Sequence, residues 1–315
     1  MPYILLIVGL FLLAFGGDTM VNGAVSLAKR MGVSSLLIGL TLVGFGTSTP
    51  ELLTSLTAVI KDSDGIAIGN VVGSNIANIL LVLGMAAIIT PIRIDLKSFK
   101  RDGLFLILST IALIIAVLYG KISFIMGIIL VSLLFYYVYY SYQSDKKYQK
   151  EKKFKNNEIT KTQTPVWLAL TKTIGGILLT MLGAKLLVDN SIILARYWGV
   201  SETVIGLTIV AVGTSLPELA TSVMASIRKQ NDVAFGNVVG SNIYNALFIL
   251  GVTALFMTVR VPVEMTKDVI LMTIVTCILI GVAFWKKQIS RQMGWLFLIT
   301  YAFYNAYLFL NGSIT

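Results

Sequence analysis

Two glutamates stand where an apolar chain would be expected to have none. Glu51 lies in GTSTPELLTS (46–55) and Glu218 in GTSLPELATS (213–222), each near the middle of a long hydrophobic run. An ionised carboxylate at that depth of a membrane costs at least about 2.5 kcal/mol, so such residues mark binding sites or ion pathways. A protonated, purely structural carboxyl is the competing reading. Thr47, Ser48 and Glu51 sit at i, i+1 and i+4, a spacing that places them on one helix face. Pro50 has no N–H, so the carbonyl of Gly46 loses its helical partner and the helix is expected to kink there. Thr214, Ser215, Pro217, Glu218 and the carbonyl of Gly213 repeat the arrangement. A carboxylate, hydroxyls and freed carbonyls around a kink form an all-oxygen cluster, the donor set of hard cations such as Ca²⁺ and Na⁺.

A second polar string follows each glutamate. GNVVGSNI begins at Gly69 and again at Gly236 and places Ser74 with Asn78, and Ser241 with Asn245, one helical turn apart. These offer hydroxyl and amide oxygens; interhelical hydrogen bonding without ligation is the other reading of the four. The Gly69/Gly73 and Gly236/Gly240 pairs have the spacing that lets helices approach closely, and are read as packing.

These strings belong to one duplicated stretch. Residues 38–84 and 205–251 align without a gap at an offset of 167 and share 28 of 47 residues. Pro-Glu pairs and GNVVGSNI strings do not align through composition alone, so the chain is an internal duplication.

The elements that must position these residues are membrane helices. The 315 residues are 56% hydrophobic and 13% charged, with mean hydropathy +0.85, too little charge to cover a water-soluble surface of this size. Ten spans are expected, near 3–28, 34–60, 66–90, 102–119, 122–142, 165–195, 202–227, 233–257, 268–285 and 292–311. They divide into a first half 1–142, a basic linker 143–164 and a second half 165–315. Five spans per half force the halves into opposite orientations, giving an all-α integral membrane fold of two inverted five-helix repeats. The first apolar run has no basic residues before it and is long enough to span, so it is kept as a helix rather than a signal peptide.

Basic residues give an independent reading of topology. With both termini outside, the cytoplasmic connections hold 18 Lys and Arg and the outer connections 5, as the positive-inside rule requires. This distribution accounts for most of the net charge of +10. It makes the Lys-rich segment 146–155 an anchor at the lipid bilayer rather than a nucleic-acid site. Location in the cytoplasmic (inner) membrane, with the central loop cytoplasmic, is the expectation.

With no histidine and a single cysteine, Cys277, zinc sites and His-based catalysis are excluded, and no cofactor is implied. Two Glu and several Ser could be imagined as acid, base and nucleophile of an intramembrane hydrolase, but the sequence offers no His, no acidic-protease-type Asp pair and no soluble substrate domain, which sets that reading aside. Lys185 and Asp189 are read as a pair at i, i+4, and Cys277 as a packing residue. The helix 292–311 aromatics are read as lipid-facing or packed, with Trp295 and Tyr307 possible interface anchors.

At GTSTPELLTS and GTSLPELATS, each followed by GNVVGSNI, the sequence resembles the calcium/cation antiporter superfamily, most closely its prokaryotic sodium/calcium exchanger branch. The resemblance covers the whole chain. It implies a core formed by the second, third, seventh and eighth spans, with the first and sixth sliding across it. It makes Glu51 and Glu218 the carboxylates shared by Ca²⁺ and Na⁺. Thr47 and Thr214 would give backbone carbonyls, Ser48 and Ser215 hydroxyls, and Ser74, Asn78 and Ser241 flanking oxygens. Gly44 and Ala211 match positions whose carbonyls help hold outer Na⁺. Sodium-coupled relatives often carry Asp at the position of Asn245, so this centre has two carboxylates rather than three. The implied activity is Ca²⁺ export against Na⁺ by alternating access, in a protein for which a monomer suffices. Ca²⁺/H⁺ exchange at the same site and a passive cation channel are the alternatives.

Overall fold

A computed structural model of the chain describes residues 2–156, 164–199 and 211–312, and its main elements are helices. They are α1 Pro2–Met31, α2 Ser35–Thr47, α3 Thr49–Ile60, α4 Asp64–Ile89, α5 Leu96–Tyr119, α6 Phe124–Asn156, α7 Val166–Tyr197, α8 Leu216–Ile227, α9 Asn231–Phe256, α10 Thr266–Trp285 and α11 Arg291–Gly312. Among the described residues seven helices are long and apolar enough to cross a membrane, and the bent pair α2–α3 makes an eighth. α8 follows a helical turn at Ala211–Gly213. Residues 202–210 of the expected seventh span and 157–163 of the linker lie outside the described residues.

The architecture is an all-α membrane fold built around two central helices. Of their apolar stretches, 83% in α9 and 72% in α4 is buried, against 28–44% in α1, α5, α6, α7 and α10. α4 and α9 are therefore surrounded by protein, while the others turn a large apolar face outward. Gly236 and Gly240 of α9 let α2 approach closely: a Cβ on Gly236 would stand 2.5 Å from the Leu36 carbonyl, and one on Gly240 would overlap that of Leu40. The packing reading of this glycine pair holds. The equivalent partners of Gly69 and Gly73 fall at 203 and 207, outside the described residues.

α1 and α7 run antiparallel against each other along a glycine seam. Gly9 meets the Gly183 carbonyl, Gly16 meets that of Gly176, and Gly23 meets the backbone of Thr173, all within 3.1 Å of where a Cβ would lie. Glycines seven residues apart fall on one helix face, so the two backbones touch along several turns.

Equivalent local structures recur at the 167-residue offset. All six left-handed backbone positions among the described residues form three such pairs: Gly32 and Gly199, Asp62 and Lys229, Gly120 and Lys287. Four short strands do likewise: β1 Ile92–Arg93, β2 Lys121–Ile122, β3 Val259–Arg260 and β4 Gln288–Ile289. β1 pairs antiparallel with β4 with Ile92 opposite Ile289, and β2 pairs with β3 with Ile122 opposite Val259. Moving either pairing by 167 residues reproduces the other. The two strand pairs lie at opposite ends of α5, whose 24 residues span about 36 Å at 1.5 Å per residue.

Three expectations are corrected. The fifth span does not end at 142; α6 continues to Asn156 because its Lys, Gln and Glu residues favour helix. Docking also holds this extension: Asp145 accepts from the backbone N–H (2.7 Å) and hydroxyl (2.8 Å) of Ser34, the N-cap of α2. Lys185 and Asp189 form no ion pair, both side chains being exposed. Cys277 faces outward from α10 rather than packing inside. Of the α11 aromatics, Trp295, Phe303 and Tyr307 are exposed and Phe297 is buried, as expected of a lipid-facing helix with one packed side.

Candidate cation site

The site begins with two broken helices. α2 stops at Thr47 and α3 starts at Thr49, bent by 43°. Ser48 occupies the break with φ −84° and ψ 7°, and Pro50 sits in the first turn of α3. Ser215 has nearly the same conformation, φ −87° and ψ 5°, ahead of Pro217 in α8. Proline is suited to a first turn, where its missing N–H has no partner to lose. This modifies one expectation: Thr47, Ser48 and Glu51 do not share the face of one continuous helix, because the break separates the first two from the third.

The break puts each glutamate in the first turn of a twelve-residue helix, where the helix dipole favours negative charge. Both side chains are 1% exposed. The Ser48 hydroxyl donates to Glu218 Oε1 at 3.1 Å, joining the first break to the second glutamate. Glu51 Oε2, Glu218 Oε2 and the hydroxyl oxygen of Ser215 are buried and have no hydrogen-bond partner among the described residues.

α4 and α9 supply the rest. Asn78 and Asn245 each open a wide π-helical turn, Asn78–Val82 and Asn245–Ile249, a distortion that often accompanies functional sites. Both carboxamide oxygens are buried without a partner among the described residues. Ser241 donates to the Gly44 carbonyl at 3.4 Å, bringing two of the expected residues together across α2 and α9. Ser74 and Thr214 both line a cavity of about 420 Å³ between α4, α10 and α11. Ala211 opens the helical turn before the second break. Thr47, Ser48, Thr214, Ser215 and the two glutamates thus stand at the two breaks, and Asn78 and Asn245 at the two wide turns. Ser48–Glu218 and Ser241–Gly44 link the two copies.

Supporting residues that the sequence reading left without a role are also duplicated. Asn70 donates to the Glu51 carbonyl (3.0 Å) and to Ser55 Oγ (2.9 Å). Asn237 donates to the Glu218 carbonyl (3.3 Å) and to Ser222 Oγ (3.0 Å). Each ties the turn bearing a glutamate to the neighbouring helix. Asn237 Oδ1 also accepts from Thr47 at 3.1 Å. The signal was available: all four residues are identical between the copies.

Broken helices, two buried carboxylates and converging neutral oxygens define a membrane transporter for cations. The chain belongs to the sodium/calcium exchanger protein family, whose profile matches residues 1–143 and 168–310. It is 34% identical over 307 residues to the inner membrane protein YrbG of Escherichia coli, covering 92% of this chain and 91% of that one. It is 34% identical over 289 residues to the sodium/calcium exchanger MaX1 of Methanosarcina acetivorans, covering 81% and 83%. Among solved structures it is similar to the sodium-calcium exchanger NCX_Mj soaked with Na⁺ and Sr²⁺, with TM-score 0.84, 34% identity and coverage of 97% and 98%. The chain is thus a cation/Ca²⁺ antiporter of the prokaryotic branch of the calcium/cation antiporter superfamily.

Proposed function

We propose that the protein exports Ca²⁺ in exchange for Na⁺ by alternating access, both ions competing for one site around Glu51 and Glu218. The observation that carries this reading is the pair of buried glutamates at two helix breaks, each with an oxygen that has no partner among the described residues. Glu51 and Glu218 supply the charge that balances one Ca²⁺ or two monovalent ions. Ser48 and Ser215 add hydroxyl oxygens and Thr47 and Thr214 backbone carbonyls. Ser74, Asn78, Ser241 and Asn245 flank the centre, and the carbonyls of Gly44 and Ala211 serve outer Na⁺. An all-oxygen set of this charge suits Ca²⁺ and Na⁺ over softer metals.

The frame of this reading is ten spans in two inverted repeats, 1–142 and 165–315, joined by a cytoplasmic linker, with both termini outside. It is supported by the antiparallel α1–α7 seam and by strand pairings that interchange at the 167-residue offset while lying at opposite ends of α5. Repeats so arranged offer equivalent paths to either face. The cytoplasmic membrane is the location, and a monomer holds the complete site.

Asn245 favours a second reading, Ca²⁺/H⁺ exchange, because only two carboxylates are present to meet the counter-ions. Radiolabelled Ca²⁺ uptake into proteoliposomes separates the two. Uptake that requires internal Na⁺ and is lost in Glu51→Gln and Glu218→Gln is the expected result. Uptake driven by a proton gradient alone selects the second reading, and uptake indifferent to both gradients makes the protein a channel. A fully active Glu51→Gln would remove the site assignment.

A further inference from the structure

The two central helices meet through a reciprocal asparagine pair. Asn75 of α4 donates from Nδ2 to the Asn242 carbonyl at 3.4 Å, and Asn242 of α9 donates from Nδ2 to the Asn75 carbonyl at 3.3 Å. The residues are 167 apart, so each bond is the other's counterpart. Both side chains are buried, and neither was given a role by the duplicated pattern.

Beyond this bond the two asparagines part ways. Asn75 Oδ1 accepts from Asn245 Nδ2 at 3.1 Å, whereas Asn242 Oδ1 has no partner among the described residues. The orientation of all three groups follows from donor and acceptor chemistry. A backbone carbonyl only accepts, so the Asn75 atom facing Asn242 is the nitrogen; its other neighbour there, the Met272 sulfur at 3.7 Å, is likewise an acceptor. The remaining Asn75 atom is then an oxygen, so the Asn245 atom facing it is a nitrogen. What Asn245 has left is a buried carbonyl oxygen without a partner among the described residues.

We infer that Asn75 is a positioning residue for transport: it fixes the side chain of Asn245 so that its oxygen, not its nitrogen, is offered to the transported cation. The inference rests on Asn245 being a ligand of the proposed site. An unrestrained carboxamide presents a donor as readily as an acceptor, and a donor repels a cation. The restraint is one-sided, since no hydrogen bond links Asn242 Oδ1 to Asn78. Pseudo-symmetry therefore supplies a control within the molecule: Asn242→Ala removes an equivalent helix–helix bond without touching the restraint on Asn245.

The test is the KM for Ca²⁺ uptake into proteoliposomes, with the counter-ion that supports wild-type exchange, for Asn75→Ala, Asn242→Ala, Asn245→Ala and Asn75→Ala/Asn245→Ala. Asn75→Ala is expected to raise KM about fivefold, the worth of one ordinary hydrogen bond, with the maximal rate little changed. Asn242→Ala is expected to lower thermal stability to a similar degree while leaving KM near wild type. In the Asn245→Ala background, Asn75→Ala should add nothing to KM. Equal KM changes in Asn75→Ala and Asn242→Ala, or additive effects in the double variant, overturn the inference and leave the ligand reading standing. An unchanged KM in Asn245→Ala overturns the ligand reading itself, and the inference with it. If Asn75→Ala does not fold, Asn75→Ser, smaller and still polar, stops one bond short of Asn245 and carries the same expectation.

Discussion

Asp18, near the middle of α1, accepts a hydrogen bond from Arg228 Nε at 2.6 Å, tying α1 to the end of the helix that begins beside Glu218. Asn22 donates to the second oxygen of Asp18 at 3.2 Å, and Gly17 seats α1 against Ala220 and Met224 of α8. This ion pair has no counterpart in the other half. The positions equivalent to Asp18 and Arg228 are Lys185 and Lys61, both cationic. The first half thus carries an attractive link where the second carries like charges. It joins α1 to α8 in this conformation.

The link makes a charge-swap prediction. Asp18→Arg and Arg228→Asp should each slow Ca²⁺ exchange, and the double swap should recover much of the wild-type rate. Because the Arg228 side chain is half exposed, at 52%, solvent and salt screen the pair, and the single-variant defects should differ between low and high ionic strength. Initial rates at two salt concentrations check this. Defects that simply add in the double variant would show that the pair does not act as this link.

A second asymmetry separates the two serines at the breaks. Ser48 donates to buried Glu218, whereas the Ser215 hydroxyl oxygen has no partner among the described residues. A hydrogen bond contributes about 0.5–1.5 kcal/mol net, so Ser48→Ala should destabilise the ion-free protein by that order. Ser215→Ala removes a buried hydroxyl that makes no such bond and should leave stability unchanged or slightly higher. Both variants should weaken the stabilisation conferred by added Ca²⁺. Thermal unfolding in detergent, with and without Ca²⁺, measures both quantities.

The glycine seam predicts where bulk is not tolerated. A Cβ on Gly176 would come within 2.6 Å of Met20 N and the Gly16 carbonyl, whereas Gly175, one residue away, is open. Overpacking typically costs about 1–3 kcal/mol, and here the obstacle is backbone that cannot turn aside. Gly176→Leu should therefore lower the unfolding temperature sharply, while Gly175→Leu should leave it nearly unchanged. Equal effects would mean that the seam is not what joins α1 to α7.

Much of this structure was legible because duplication filters noise. Glu51 and Glu218 stood out as charges in apolar runs, and Pro50 and Pro217 announced breaks that the structure places two residues earlier, at Ser48 and Ser215. Less legible was anything that depends on a partner distant in sequence. Asn70, Asn75, Asn237 and Asn242 looked like further polar repeats until their donors were seen to end on backbone carbonyls of neighbouring helices. The glycines at 9, 16 and 23 carry no signal within α1 itself, because what they approach lies in α7. The helical extension to Asn156 was missed for a simpler reason: its polar residues ended the apolar run, while Ser34, which docks it through Asp145, lies 111 residues away.

The strand pairings allow the proposed orientation to be tested residue by residue. Arg93 in β1 and Lys121 in β2 flank α5 and are both exposed. Under the proposed topology Arg93 lies on the cytoplasmic side and Lys121 on the outside. Cys277, the sole native cysteine and exposed, must first be removed as Cys277→Ala. In that background Lys121→Cys should react with a membrane-impermeant maleimide added to intact cells, and Arg93→Cys only after the membrane is opened. Arg260→Cys, on the strand paired with β2, should label like Lys121→Cys, and Gln288→Cys, paired with β1, like Arg93→Cys. Equivalent positions of the two halves, 93 with 260 and 121 with 288, would then label from opposite sides. That is the defining property of inverted repeats. Labelling of 93 and 260 from the same side would leave the 167-residue duplication intact as sequence but remove its inversion, and with it the basis for two-sided access to Glu51 and Glu218.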